Sequence, residues 1–448
     1  MAFDLTIKGG LLVLPGGSHV GDLGITDGKI AAVGSLPAAA RVVDAGGLIV
    51  LPGMVDTHVH LMDPGPTDRE DFPTGTAAAS ARGVTTIVEH THAWPVRSPG
   101  DLAEKLRHLE DRANVDYALA GHLWPEDLGG MGELWRAGVA FFKIFTCTTH
   151  GVPAVEGDDL LRALETLASF RGNALVHCED EQLTRFAETK LRSDGRADPG
   201  LLTEWRSREA EVVAIAGLAA LASMTGAKVT VAHVSNPIGA QIVAEARRRG
   251  ADVVAEACPQ YFALDEGEVE EHGALRKFTP PARIRTDDER DSMWATMRSK
   301  GFSHFSTDHA PSTLAQKSEG DIWSAPFGLP GLDTTLPFLL DAALTGRIEI
   351  EAVADLYSRA PARRYGLQGK GSLEAGSDAD FVLVDPADRW EVRDEDILSK
   401  AGWSPYSGRV FQGSVVATYL RGAEVARSGN PHHARIGRFV PGPGALGG

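Results

Sequence analysis

The chain has 448 residues, 43% of them hydrophobic and 23% charged, an ordinary globular composition with length for a large core and a second module. Its formal net charge of −17 opposes binding to nucleic acid or to an anionic membrane surface. Three cysteines without a CxxC pair exclude a disulfide framework, and no run approaches the ~20 apolar residues that cross a bilayer. The start, MAFDLTIKGG, lacks the basic flank and apolar stretch of a signal peptide, so the cytoplasm is the expected location.

Residues 4–51 alternate short β-branched runs with glycine turns, as in DLTIKGGLLVL and GDLGITDGKIAAVG, and predict strands. The middle of the chain then offers eight strand candidates, at 55–60, 85–89, 117–120, 140–145, 174–178, 229–234, 252–257 and 304–308. Helical runs at 101–113, 158–171, 208–225 and 239–249 fall between them. DADFVLVD and SVVATYLRGAEVARSG return to the texture of the start. The order predicts an α/β chain: a (β/α)8 TIM barrel over residues 52–369, with a small β-sandwich domain built from both termini, residues 1–51 and 370–448. The tail after Arg421, with Phe439 and Val440, is a candidate to cross to a neighbouring subunit.

Asp56, His58 and His60 alternate along one strand and share a face, which a site explains better than a core does. Lys143 in AFFKIF, His177 in NALVHCED, His233 in KVTVAHVSN and Asp308 in FSTDHAPS each end an apolar run and precede turn-forming or acidic residues. In a barrel those positions lie at the C-terminal mouth, where chemistry sits. Lys143 among Phe141, Phe142, Ile144 and Phe145 either snorkels to water or is desolvated, which favours the neutral amine that reacts with carbon dioxide. Asp308 reads as a catalytic carboxylate or as one that orients a histidine. Asp56 either supports a ligand or is structural, and His309, sent elsewhere by strand alternation, is a candidate for the pocket or for supporting a ligand. Cys178 reads as a buried strand residue.

These residues, with PGMVDTHVHLMDPG, DFPTGTAAASARGVTTIVE, HCEDEQL, AHVSNPIGA, EACPQYFALDE, KFTPPAR, STDHAPS, GLPGLDTTLPFLL and SLEAGSDADFVLVDP, make nearly the whole chain resemble the amidohydrolase superfamily. The branch resembled is that of the cyclic amide hydrolases: allantoinases, dihydroorotases, hydantoinases and dihydropyrimidinases. The resemblance implies two divalent metal ions, Zn²⁺ by preference, with His58, His60 and Asp308 on one and His177 and His233 on the other. It implies that Lys143 is an N6-carboxylysine bridging them, that a hydroxide shared by the ions attacks the amide, and that Asp308 carries the proton to the leaving nitrogen. The partner is then a small-molecule cyclic amide, and the family habit is a homodimer or homotetramer. A cyclic imide hydrolase, a lactone hydrolase, a deaminase or a non-catalytic scaffold on the same barrel are the alternatives, the last disfavoured because all six ligand positions are kept.

The substrate is less legible. Dihydroorotases carry an arginine and an asparagine where this chain has Met62 and His92, and hydantoinases a tyrosine where it has Thr148; allantoinases resemble it in the threonine. Losing a guanidinium removes the bidentate partner of a carboxylate. An allantoin- or hydantoin-type ring is therefore the leading expectation. Thr279 in FTPPAR and Thr334 in GLDTT are candidate substrate contacts, or else turn and helix-cap residues. EHTHAWP departs from every branch of the resemblance and brings His90, His92 and Trp94 to the mouth of the second strand. His90 and His92 have metal-like spacing without a completing carboxylate or cysteine, and Trp94 is a pocket wall or a packed aromatic.

Overall fold

A computed structural model describes residues 3–447; Met1, Ala2 and Gly448, at the ends of the expected sandwich, lie outside the described residues. The eight strand-like runs of the middle are strands: Met54–Val59, Val84–Glu89, Asp116–Leu119 continued by Gly121–His122, Phe142–Phe145, Asn173–His177, Lys228–Val231, Val253–Ala257 and His304–Phe305. All neighbours pair in parallel. The third strand bridges two sheets, through Ala120 N to Glu89 O (3.1 Å) on one side and Gly121 N to Phe141 O (2.9 Å) on the other. His60 N donates to His309 O at 2.8 Å and joins the first strand to the segment after the eighth. The ring of strands is thereby closed into a barrel.

Two strands end earlier than their sequence patterns suggest. His233 (φ 35°) and Asp308 (φ 52°) adopt left-handed backbone conformations, which break the ladder before them and re-aim their side chains. The helix Arg208–Thr225 has its expected bounds, capped by Ser207 at the start and by Gly226 (φ 73°) at the end. The helix Pro99–His108 begins in a Ser98–Asp101 capping box and stops short of the predicted 113.

The lower barrel interior is filled by Val55, Val88, Ala118, Phe141, Leu175 and Ala232. That plug leaves only the mouth at the C-terminal strand ends open for chemistry. Strands from both chain ends form one further sheet, in which Ile49–Pro52 pairs antiparallel with Phe381–Glu391. The sandwich core holds Leu5, Ile7, Leu23 and Ile25 from the first part, and Phe381 stacked on Tyr419 at 4.4 Å from the second. Lys370 Nζ, 2.8 Å from both Asp378 and Asp380, also reaches Asp116 of the third barrel strand and ties the sandwich to the barrel.

The tail lies on its own barrel. Tyr117 N donates to Arg438 O at 2.9 Å and Val440 N to Tyr117 O at 2.7 Å, extending the third strand's pairing. Glycine allows the approach, since a Cβ on Gly442 would stand 2.0 Å from Val139 O. Among the described residues no helix is long and apolar enough to cross a membrane.

Candidate metal centre

Alternation along the first strand points His58 and His60 into the mouth, and their ring orientations are fixed from outside it. His58 Nδ1 lies 2.7 Å from Glu256 Oε1 on the seventh strand, so Nε2 faces inward, 3.1 Å from Asp308 Oδ1 and 3.1 Å from Lys143 Nζ. His60 Nδ1 donates to His90 O at 3.1 Å, which turns its Nε2 to 3.7 Å from the same Asp308 oxygen. At the end of the fifth strand His177 Nε2 donates to Glu179 Oε2 at 2.7 Å, leaving Nδ1 only 2.9 Å from His233 Nε2. His58, His60 and His177 are thus each held by one nitrogen and offer the other, while His233 brings Nε2 to the cluster with its Nδ1 unpartnered.

Burial is the first cause of every shift here. It lowers His58 to about 4, helped by nearby Lys143, and holds His60 and His233 well below the ordinary histidine range. The rings are neutral, the form that ligates metal. Burial also lowers the Lys143 amine and raises the Asp308 carboxyl, two groups that face each other. Buried neutral imidazoles with inward lone pairs, a carboxylate and a desolvated amine fit a pair of divalent cations, because nitrogen and oxygen donors of this kind suit such ions.

Asp56 does not join them. Its carboxylate accepts from His58 N and Thr307 N, both at 3.2 Å, and from Tyr357 Oη at 2.7 Å, bracing the seam between the first and last strands. Burial raises this carboxyl to about 6. His309 is also turned away: its Nδ1 accepts from Gly331 N at 3.1 Å and its Nε2 lies 3.5 Å from Glu70. Cys178 is buried as expected, but it lies one residue past the end of the fifth strand at His177.

A cavity of about 350 Å³ opens above the cluster. Met62, His92 and Thr279 line it; Thr148 and Thr334 do not. Thr148 is spent on Glu181, through its N–H at 2.6 Å and its hydroxyl at 3.1 Å. Thr334 occupies the cap position of the helix Thr335–Leu344, the alternative its sequence context allowed. Trp94 is 39% exposed and belongs to neither the cavity nor a core.

Several residues of the site escape a sequence reading. Glu256 closes the apolar run VVAEA much as Lys143 interrupts AFFKIF, and that shared oddity was its signal. Glu179 follows His177 by two residues and is neutralised by buried Arg206, whose Nη1 lies 3.2 Å away. Arg69 and Lys277 supply cations to the cavity wall. Backbone carbonyls fix both, Arg69 Nε donating to Pro311 O at 3.0 Å and Lys277 Nζ to Trp323 O at 3.0 Å.

A closed barrel whose strand ends gather neutral histidines, a desolvated lysine and an aspartate around one cavity is the architecture of a metal-dependent hydrolase. The chain belongs to the amidohydrolase family, whose model matches residues 49–425. It is similar to an allantoinase of Rubrobacter xylanophilus, 39% identical over 447 residues that cover 98% of each chain. An allantoinase of Salmonella choleraesuis is 34% identical over 94% of this chain and 95% of its own. Among solved structures, the L-hydantoinase (dihydropyrimidinase) from Arthrobacter aurescens superposes with a TM-score of 0.92 at 29% identity, covering 98% of this chain and all of that one. A dihydropyrimidinase from Brevibacillus agri gives 0.90 at 27% identity, over 97% and 98% of the two chains.

Proposed function

We propose that this chain opens an allantoin- or hydantoin-type ring by hydrolysing a C–N bond of the cyclic amide. The observation that carries the reading is the convergence of His58, His60, His177, His233, Lys143 and Asp308, from five strand ends, on one cavity. In this reading His58, His60 and Asp308 hold one divalent ion and His177 and His233 the other, Zn²⁺ being the first choice for such donors. Lys143, whose desolvated amine would become a carbamate by adding carbon dioxide and releasing a proton, would be the residue common to both donor sets. When bound, the ions supply a lowered pKa for water and polarisation of the substrate carbonyl.

The protein's own groups do the rest. Asp308 Oδ1 faces both histidines of the first strand, so Oδ2 is the atom that takes the proton of the attacking water and returns it to the departing ring nitrogen. Burial raises the basicity of this carboxyl and suits it to both roles. Glu256 and Glu179 keep His58 and His177 in the tautomers that offer a lone pair inward. Met62 cannot clamp a ring carboxylate, and the wall's cations Arg69 and Lys277 already donate to backbone carbonyls, Arg69 through both Nε and Nη2, which favours an uncharged ring such as allantoin over dihydroorotate. The likeness to hydantoinases and a dihydropyrimidinase keeps plain hydantoins and dihydropyrimidines as the second choice. We take residues 52–369 as the catalytic barrel and residues 1–51 with 370–448 as the sandwich. We take the assembly to be the homodimer or homotetramer that the resemblance implies.

The test is ring opening by metal-analysed protein on allantoin, hydantoin, 5-substituted hydantoins, dihydrouracil, dihydroorotate and cyclic imides, with Lys143→Ala as control. Turnover of one ring with about two ions per chain, lost in the control, is the expected result. Two bound ions without turnover of any ring would remove the substrate assignment, and failure of zinc to bind would remove the metal assignment.

A further inference from the structure

His90 directly follows the second barrel strand, in EHTHAWP, and its side chain is completely buried. Its ring centroid stands 4.6 Å from that of His58 and 4.4 Å from that of His60. The three histidines each offer one ring nitrogen to a group whose members lie within 4.8 Å of one another. Neither Nδ1 nor Nε2 of His90 has a hydrogen-bond partner. The backbone cannot drift to relieve this, because His90 O holds both His60 Nδ1 at 3.1 Å and His122 Nε2 at 3.2 Å.

A neutral imidazole presents one N–H and one lone pair, and a buried polar atom left without a partner costs about 1–3 kcal/mol. A phenylalanine would fill the same space without that cost, since the ring of Phe141 lies 5.7 Å away on the apolar side. The arrangement becomes favourable when the unsatisfied lone pair is spent on something in the one polar direction available, where His58 and His60 point.

We infer that His90 is a third imidazole donor to the ion held by His58 and His60. The inference rests on the metal centre proposed above and gives its two halves unequal donor sets. Three imidazoles and Asp308 surround one ion; His177 and His233 provide the only imidazoles of the other. The ion at His58 and His60 is therefore the tighter one, and a chelator strips the ion at His177 and His233 first.

Zinc and cobalt(II) alone are the probes. Dialysis of wild-type protein against graded chelator should pass through a form with one ion per chain. His90→Phe should weaken one ion by about 100-fold or more, above what loss of a residue that merely orients a ligand costs. The same variant should change the cobalt(II) visible spectrum and bind its other ion normally, which also certifies that it folds. His90→Asp, which keeps a donor atom, should recover part of the loss. Proton NMR of cobalt(II)-loaded wild type needs no variant: ring N–H signals shifted by the ion should come from five imidazoles. Four such imidazoles, or wild-type affinity and spectrum in His90→Phe, would overturn the assignment of His90. A wild-type chain that binds neither metal would instead overturn the metal centre on which it depends.

Discussion

Glu256→Gln isolates the charge that orients His58. In the wild type Glu256 Oε1 accepts from both His58 Nδ1 (2.7 Å) and His233 N (3.0 Å), while Oε2 lies 3.6 Å from His304 Nε2. A glutamine of the same shape keeps Oε1 for both donors and turns its amide toward His304, so packing and hydrogen-bond count are preserved and only the carboxylate charge is lost. Hydrogen bonds to a charged partner contribute about 1.5–3 kcal/mol and neutral ones about 0.5–1.5, so the substitution should cost about 1–2 kcal/mol at His58. That corresponds to about 5–30-fold in affinity for the ion proposed at His58, overlapping the range of about 10–100-fold known for residues supporting metal ligands. Chelator competition on stepwise-loaded protein measures it for each ion separately. Unchanged affinity at the first ion, or an equal loss at both, would refute the claim that Glu256 acts by fixing His58.

Three further outcomes test the surrounding electrostatics. Arg206→Met strands the fully buried Glu179 carboxylate and is expected to lower unfolding free energy by about 3–5 kcal/mol in urea; a smaller loss would mean that His177 and Thr279 suffice for it. Burial alone would raise Glu179, but Arg206 and His177 outweigh it and hold the carboxyl at about 2, against 4.5 for a free glutamate. Because the folded value is the lower one, the ionised group stabilises the fold above pH 4.5 and this contribution is lost as pH falls toward 2. Wild type and Glu179→Gln should therefore differ most near neutrality and converge in acid, and a gap that widens in acid contradicts the assignment. Lys370→Met leaves Asp116, Asp378 and Asp380 without their common cation; a loss of about 3–5 kcal/mol in urea with ring-opening rate retained is expected, and a matching loss of rate would show that the sandwich shapes the site.

Much of this was legible in residue order. Period-two placement put His58 and His60 on one face, and a charged group breaking an apolar strand singled out Lys143, because both signals are local consequences of backbone geometry. Strand and helix alternation gave the barrel, and the repeated glycine-turn texture of the two ends gave the sandwich. Pairwise choices were not legible. Thr148 and Thr334 carry hydroxyls at suggestive positions, yet the first donates to Glu181 and the second to Gly331 O at 3.4 Å, and neither lines the cavity. Glu256 meets His58 across 198 residues of chain, and Glu179 meets Arg206 where Asp180 N, in the loop after the fifth strand, donates to Ala210 O at 2.9 Å in the first turn of the long helix.

The sequence alone therefore determined which strands end in metal-competent residues, since that depends on alternation within a few neighbouring positions. Tertiary structure decided which nitrogen of each ring faces the cavity, which carboxylates are consumed in holding them, and that His90 is buried with both nitrogens unspent. Those outcomes follow from barrel closure and from the left-handed turns at His233 and Asp308, which bring together atoms from distant strands at hydrogen-bonding range.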